Sequence, residues 1–319
     1  MQSIGLPPGF RDVLFKEAKQ QRMIEGKMAV VLDSLGYGEL APSAIEFLEL
    51  YSRGEQSVKN RTFRFLDRDD NLLALRADFT PAIARIVSGQ LANAPRPVKV
   101  WYSGTVFRKV DRHQGRFCEI RQIGAELLGL DSVDRDVEIL NAAMVCLESI
   151  GITDVQVHVN HAGIFRGIVN SLSLDDHGRD LLRSEIDRKD ARALASRLET
   201  LGVSQEQQKE VATVSRCVGG VDALRLAESA IKNPESRGAI DNLIGLASGL
   251  ERWKEHVVFD LTEIDELEYY TGVMFEIFSP KLTSELGKGG RYDSLLKEFG
   301  LSMPAVGFSF SMERLVELV

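Results

Sequence analysis

The chain has 319 residues, of which 44% are hydrophobic and 27% are charged, the composition of an ordinary globular protein with a sizeable core. Its formal net charge of −8 argues against a large nucleic-acid-binding surface, which would require an excess of Lys and Arg. Its length is typical of about two domains.

The sequence contains no segment typical of export or membrane insertion. The first residues, MQSIGLPPGFRDVLF, lack the basic and apolar regions of a secretory signal. No run approaches the ~18 apolar residues needed to cross a bilayer. The cysteines, Cys118, Cys146 and Cys217, have neither close spacing nor the spacing of metal ligands. We therefore expect a cytoplasmic protein with reduced, buried thiols and no metal site.

The first hundred residues predict two helices on either side of a hairpin. Apolar residues recur at helical spacing through 11–36. Residues 63–76 predict a hairpin with an Asp- and Asn-rich turn at 67–71. The second helix is expected to begin with Thr80 as its N-cap and with Pro81 at the first helical position.

The segment 98–128 is the most β-like of the sequence. Alternating apolar residues and a charged loop predict three strands, at 98–102, 104–110 and 117–128, with the loop at 111–116. An acidic start then predicts a helix that ends near residue 149, and a strand follows at 155–159.

The pattern changes between residues 163 and 252, where strand signals vanish and short helices follow one another. One helix opens with the capping box Ser204-Gln205-Glu206-Gln207. We predict that this segment is a helical insertion into a core formed by residues 1–162 and 253–319.

Strand signals return after the insertion. We predict strands at 256–262, 272–279 and 304–310, a turn at Gly287, Gly289 and Gly290, and a final helix from Ser311. Because strands occur in runs and helices are segregated from them, the pattern indicates an α+β antiparallel sheet flanked by helices rather than alternating βαβ units.

The strand FCEIRQIGAELLG carries the most informative polar pattern. Its alternation places Gln122, Gly124 and Glu126 on one side, with apolar residues on the other. The Gln122 amide and the Glu126 carboxylate, with open space over Gly124 between them, would form the floor of a site for a small polar ligand. A glycine within a strand often marks a place where a ligand or another backbone approaches the strand closely. The alternative is a solvent-facing side with an incidental glycine.

Other candidate residues lie near this strand in the predicted fold. Arg108 has a planar fork suited to a carboxylate or phosphate, although an exposed ion pair is equally compatible with its position. Asp78 and Thr80 lie where a strand passes into a helix, a common place for ligand-binding groups. Tyr269 and Tyr270 offer rings and hydroxyls, but paired aromatic residues in a sheet usually belong to the core.

Taken in order, these segments resemble the histidyl-tRNA synthetases, from Gly9 to the last helix. The resemblance is carried by Arg76-Ala77-Asp78-Phe79-Thr80-Pro81, by Phe107-Arg108 with Gln122-Ile123-Gly124-Ala125-Glu126, by Tyr269-Tyr270-Thr271-Gly272-Val273-Met274-Phe275-Glu276, and by Gly289-Gly290-Arg291-Tyr292-Asp293, Pro304-Ala305-Val306-Gly307-Phe308 and Met312-Glu313-Arg314-Leu315. It implies a class II synthetase-like fold, an antiparallel sheet of six or seven strands, normally dimeric.

The resemblance also implies a histidine pocket. Its members would be Asp78, Thr80, Arg108, Gln122, Glu126, Tyr269 and Tyr270. Glu126 and Tyr270 would contact the imidazole ring, Asp78 and Gln122 the ammonium group, and Arg108 the carboxylate.

The departures from the synthetases concern their chemistry. Asp265 stands where they have an arginine that stabilises charge at the α-phosphate of ATP, and loss of such a cation costs about 10²–10³ in rate. Val110 replaces a glutamate that contacts adenine. Since the resemblance runs to the last helix before Val319, we expect no anticodon-binding domain. Arg314, which would contact ATP in a synthetase, remains; it is either a residual nucleotide contact or a salt-bridge partner.

A histidine pocket without synthetase chemistry resembles the family of ATP phosphoribosyltransferase regulatory subunits. The resemblance implies a protein that is not an enzyme and needs no cofactor. It would be a homodimer within a hetero-oligomer with the short-form catalytic subunit, would activate that subunit, would take L-histidine as effector, and would bind neither tRNA nor membrane. The alternatives are a stand-alone paralogue that still activates an amino acid with ATP, and a histidine-sensing module for another partner.

Overall fold

A nine-stranded sheet forms the centre of the protein, and a separate three-stranded sheet lies beside it. The computed structural model describes residues 5–52, 59–109, 117–172, 174–188, 190–262 and 270–319. The strands are β1 (Gly38–Glu39), β2 (Ile45–Phe47), β3 (Arg64–Leu66), β4 (Leu72–Leu75), β5 (Val98–Phe107), β6 (Glu119–Leu128), β7 (Gln156–His161), β8 (Val218–Gly219), β9 (Val257–Asp260), β10 (Val273–Phe278), β11 (Gly287–Arg291) and β12 (Ala305–Ser311).

The order of strands in the large sheet is β1-β5-β6-β12-β11-β10-β7-β9-β8. All neighbours are antiparallel except two parallel pairs, β1 with β5 and β7 with β9. The predicted α+β class is confirmed. The sheet has more strands than the expected six or seven because two-residue strands extend both of its edges.

The helices cover the sheet and fill the segment that the sequence predicted to be helical. They are α1 (Phe15–Ser34), α2 (Thr80–Gly89), α3 (Val133–Ser149), α4 (Ala162–Ser171), α5 (Asp176–Asp187), α6 (Ala191–Thr200), α7 (Gln205–Val214), α8 (Val221–Ala230), α9 (Pro234–Gly249) and α10 (Met312–Leu318). Short 3-10 helices occur at Leu48–Ser52, Glu251–Trp253 and Leu295–Phe299. In the described ranges, no helix combines the length and apolar character needed to cross a bilayer.

Most local predictions from the N-terminal half are confirmed. Helix α1 begins at Phe15 rather than near residue 11, and β3 and β4 form the hairpin around the acidic turn. The predicted break between strands at 98–102 and 104–110 is wrong. Strand β5 runs unbroken through Gly104, which pairs with Gln122. A Cβ at Gly104 would lie 3.0 Å from Arg76 and from the Phe79 ring, so the glycine permits close packing rather than a bend.

The glycine-rich turn predicted near residue 289 is also wrong, because these residues form β11 between β10 and β12. A Cβ at Gly289 would lie 2.3 Å from the carbonyl oxygen of Gly307. A Cβ at Gly290 would lie 2.7 Å from the Tyr270 ring. The missing side chains therefore let neighbouring groups approach the strand closely.

The segment between β7 and β9 consists of α4–α9 and one short strand that the sequence did not predict. Strand β8 pairs with β9 through Val218 and Gly219. The Ser204 hydroxyl caps α7 by accepting the Gln207 N–H, which confirms the N-cap of the predicted capping box. The Gln207 side chain accepts from the Ser204 hydroxyl at 2.8 Å, whereas a full capping box has it accept from the Ser204 backbone N–H. Cys118, Cys146 and Cys217 are buried free thiols, as predicted.

The main core lies on the face of the large sheet that packs against α1 and α3. Residues Ile123, Ala125 and Leu127 of β6 point into it together with Ile24 and Met28 of α1. A second, smaller cluster lies on the opposite face and contains several aromatic rings. Because side chains alternate along β6, the polar side of this strand faces the second cluster.

Two methionines of α1 test this packing. Met28 is 0% exposed and Met23 is 41% exposed. We expect Met28→Ala to lower the free energy of unfolding by about 2–5 kcal/mol, since it leaves a cavity in the core. Met23→Ala should change it by less than about 1 kcal/mol. Urea unfolding of the two variants measures this, and equal effects would contradict the burial of this face of α1.

Candidate functional site

The polar side of β6 is buried, which rules out the alternative of a solvent-facing strand. Gln122 is 9% exposed and Glu126 is 2% exposed. Gln122 pairs across the sheet with Gly104 and with Ser311, and Glu126 pairs with Gly307. The face that carries these residues is therefore an interior floor, with Gly104 and Gly307 beside it and Tyr102 directly opposite Gly124.

The carboxyl group of Glu126 is the centre of this floor. Its Oε2 accepts a hydrogen bond from the Tyr292 hydroxyl at 2.5 Å, and its Oε1 accepts one from the Thr80 hydroxyl at 3.1 Å. A Cβ at Gly307 would come within 1.5 Å of Oε2. Glycine at position 307 thus provides the space that the carboxyl group occupies.

Burial controls the protonation of Glu126. It raises the pKa of Glu126 to about 8, although the hydrogen bonds from Tyr292 and Thr80 favour the charged form and act against that rise. In the part of the chain that the structure describes, no cation forms an ion pair with this carboxyl group. A ligand that brought a positively charged donor would supply the missing counter-charge.

Asp78 and Arg108 form an ion pair beside Glu126. Asp78 Oδ2 lies 3.0 Å from Arg108 Nη2, and Arg108 Nε donates to the carbonyl of Ala77 at 2.7 Å. Both side chains are about one quarter exposed. The arginine fork is thus already engaged by a neighbouring acid, the alternative that the sequence left open.

Thr80 differs from its predicted role as the N-cap. The N-cap position of α2 is Phe79, and Thr80 is the first helical residue. The Thr80 N–H donates to Asp78 Oδ1 at 3.0 Å, while its hydroxyl donates to Glu126 instead of capping the helix. The prediction of a cap is wrong because a buried carboxyl group on a distant strand competes for the hydroxyl.

Aromatic rings enclose the site on the same face. Tyr102 stacks on Phe79 with centroids 4.3 Å apart, and its hydroxyl lies over Gly124. Tyr270 belongs to this buried cluster and lies over Gly290. Burial raises the pKa of Tyr102 and of Tyr292 well above the ordinary value, so both hydroxyls remain protonated donors.

Tyr292 is a candidate site residue that the sequence did not reveal. It belongs to the Gly289–Asp293 segment, whose glycines drew attention to a turn rather than to the tyrosine. The signal available was its place in a segment shared with the synthetases, directly after an arginine. Only its contact with Glu126, 166 positions away in sequence, identifies its role.

A buried ion pair fixes the backbone next to Tyr292. Arg291 donates to Asp136 Oδ1 from Nη2 at 2.7 Å and from Nε at 3.0 Å. On the other side, Asp293 Oδ1 accepts the Ala305 N–H at 2.9 Å. Burial raises the pKa of Asp136 to about 6, although Arg291 favours its charged form. Tyr292 is thus held between two anchored neighbours.

The remaining predicted residues lie outside this cluster or outside the described residues. Arg314 donates to the carbonyl of Glu285 and forms an ion pair with its carboxylate at 2.8 Å, which matches the predicted salt-bridge role. Tyr269, Asp265, Val110 and the loop 111–116 lie outside the residues that the structure describes. Within the described ranges, no group of three or more His, Cys, Asp or Glu side chains is arranged to hold a metal ion.

Chemically, the cluster offers a buried carboxyl group, tyrosine hydroxyls and a half-buried ion pair. These groups suit a small molecule that has a hydrogen-bond donor at one end and charged groups at the other. The sequence-predicted residues that the structure joins by hydrogen bonds are Asp78, Thr80, Arg108 and Glu126. Gln122 shares the sheet face of Glu126, and Tyr270 shares the aromatic cluster.

Comparisons with known proteins match this chain over almost its whole length. A family model described as histidyl-tRNA synthetase matches residues 9–315. The ATP phosphoribosyltransferase regulatory subunit of Syntrophotalea carbinolica is 34% identical, over 98% of this chain and 74% of that protein. The histidine–tRNA ligase of Methanococcus vannielii is also 34% identical, over 97% of this chain and 75% of that protein.

A solved structure has the same architecture. It is described as an ATP phosphoribosyltransferase regulatory subunit/histidyl-tRNA synthetase from Bacillus halodurans C. It superposes with a TM-score of 0.91 at 28% identity and covers 99% of this chain and 83% of that one. The fold described above is therefore the class II histidyl-tRNA synthetase-like fold.

The raised pKa of Glu126 predicts a pH-dependent stability. Its pKa is about 8 in the folded protein and ordinarily 4.5, so the folded state holds this proton more tightly. The resulting stabilisation is complete below about pH 4.5 and is lost as the pH rises towards 8. From pH 5 to pH 8, the free energy of unfolding of the wild type relative to Glu126→Gln should fall by on the order of 4 kcal/mol.

Urea unfolding of both proteins at pH 5, 6, 7 and 8 measures this difference. Glu119→Gln is the matched control, since it makes the same change at an exposed position of the same strand. Asp136 titrates equally in all three proteins and cancels. A constant difference between the wild type and Glu126→Gln would contradict the burial of an uncompensated carboxyl group.

Proposed function

Because this chain belongs to the histidyl-tRNA synthetase-like family that includes the regulatory subunits of ATP phosphoribosyltransferase, we propose that it is such a regulatory subunit, in histidine biosynthesis. It assembles with the short-form catalytic subunit and raises its rate of phosphoribosyl transfer. It also allows histidine to inhibit that reaction, and it carries out no reaction of its own.

The observation that carries the proposal is the cluster around Glu126. Residues that match the histidine-binding set of the synthetases lie together on one buried face, and three of them are joined in a chain from Glu126 through Thr80 to Asp78. This supports histidine as the effector, with its imidazole at Glu126. A binding group that costs desolvation energy is retained where a ligand uses it.

The loss of synthetase chemistry rests on the sequence. Asp265 stands where a synthetase has an arginine, so a negative charge replaces the cation that would stabilise the α-phosphate. Val110 offers no hydrogen bond to an adenine ring. Both substitutions oppose adenylate formation and leave the histidine pocket intact.

A second candidate is a paralogue that still activates an amino acid with ATP. It is favoured by the similarity to a histidine–tRNA ligase and by the retention of Arg314. The pairing of Arg314 with Glu285 weakens it, because that guanidinium is already held by a carboxylate and a carbonyl. A histidine-sensing module for another partner differs only in what it assembles with.

We further propose the arrangement of the subunit. Residues 163–252 form an insertion into the core of residues 1–162 and 253–319, which is supported by helices α4–α9 lying between the neighbouring strands β7 and β9. The functional unit is a homodimer within the hetero-oligomer.

Mixing the chain with a short-form catalytic subunit tests the function. We expect co-elution on size exclusion and a rise in phosphoribosyl transfer of about 5–150-fold, the usual range of coupling between sites. Histidine should inhibit the mixture. Tyr292→Phe should assemble and activate equally but require more histidine for inhibition, since it removes a donor to Glu126. Separate elution with unchanged turnover would contradict the proposal.

ATP–pyrophosphate exchange with histidine separates the two candidates. We expect no exchange above background from the isolated chain, because Asp265 repels the charge that develops at the α-phosphate. An authentic histidyl-tRNA synthetase in the same assay is the positive control. Exchange at a rate comparable to that control would support the amino-acid-activating paralogue instead.

A further inference from the structure

The pocket described above leaves the carboxylate of a bound histidine without a dedicated partner. Arg108, the predicted partner, donates to Asp78 and to the carbonyl of Ala77. The second arginine that a synthetase would provide is Asp265 in this chain. Another cation on the same face is needed if the ligand is a zwitterionic amino acid.

Lys288 lies on that face. It is the second residue of β11, where it is directly opposite Ser309 of β12, and Ser309 is directly opposite Gly124 of β6. In the neighbouring row, Gly290, Gly307 and Glu126 face one another in the same way. Since residues two apart share a face, Lys288 and Glu126 project to the same side of the sheet.

The surroundings of Lys288 leave its ammonium group available. The side chain is half-buried. Glu276 of β10 is directly opposite Lys288. In the part of the chain that the structure describes, however, no ion pair joins Lys288 to any carboxylate. A half-buried cation without a protein counter-ion is suited to an anionic ligand group.

The distances fit a histidine molecule. Lys288 is two strands from Gly124, or about 10 Å at the usual spacing of neighbouring strands. The four-carbon stem of lysine spans roughly one of these spacings. In this row only Ser309 stands between Lys288 and Gly124, and the Tyr102 ring lies over Gly124. An amino acid with its imidazole at Glu126 and its ammonium group near Asp78 would present its carboxylate in this gap.

We propose that Lys288 binds the carboxylate of the amino acid held in this pocket and so selects amino acids over amines. The proposal rests on the proposed function, whose effector is histidine, and it names the residue that recognises the acid group. Lys288 thus determines specificity. It takes over this role from the arginine that synthetases have at the position of Asp265.

Calorimetric titration with L-histidine and with histamine, which lacks the carboxylate, tests this assignment. The wild type should bind L-histidine about tenfold more tightly than histamine, as expected for one hydrogen bond between charged groups. Lys288→Met should lose that advantage while histamine binding stays unchanged. Lys281→Met, the same change at an exposed lysine, should alter neither ligand, and Lys288→Arg should keep the preference.

An equal loss of both ligands in Lys288→Met, or no loss of either, would overturn the assignment. The wild type failing to bind L-histidine, alone and in the complex, would overturn it together with the effector role. The activation assay is independent of these outcomes. Lys281→Met should raise phosphoribosyl transfer as the wild type does, and absence of activation by the wild type itself would show that the proposed function has failed.

Discussion

The buried carboxyl group of Glu126 is the constraint on which the site depends. A carboxyl group removed from water is costly unless it is protonated or hydrogen-bonded, and here both responses occur. Tyr292 and Thr80 donate to its two oxygens, and Gly307 leaves space for it. Tyr292 directly follows β11, Thr80 begins α2 and Gly307 lies in β12, so a single acidic group helps to fix the relative position of three elements.

The same constraint explains how the site can respond to a ligand. A donor that reaches Glu126 joins the hydroxyls of Tyr292 and Thr80, since each carboxyl oxygen can accept more than one hydrogen bond. Tyr292 follows Arg291, whose guanidinium is buried against Asp136 at the start of α3. A change at the carboxyl group therefore acts on residues that connect the floor of the pocket to the helices of the main core.

The fold alone does not decide between a synthetase and a regulatory subunit, because both occur among the relatives of this chain. The distinction lies in individual charges. In the proposed function, Asp265 and Val110 oppose nucleotide chemistry. In the structure, Arg314 is held by Glu285. The pocket around Glu126 retains its groups. The proposed function would thus combine recognition of a small molecule with loss of its activation on one scaffold.

The sequence by itself determined the elements whose signals are local. Periodicity identified α1, α3 and the β3–β4 hairpin, and alternation placed Gln122 and Glu126 on one side of β6. It could not show that the Thr80 hydroxyl bonds to Glu126, that Gly287–Arg291 form strand β11, or that Tyr292 contacts Glu126. These depend on partners 46 and 166 positions away in sequence and on backbones that approach too closely for a Cβ. Only tertiary packing brings such groups together, because a buried carboxyl group overrides the local preference of a threonine to cap and of glycines to turn.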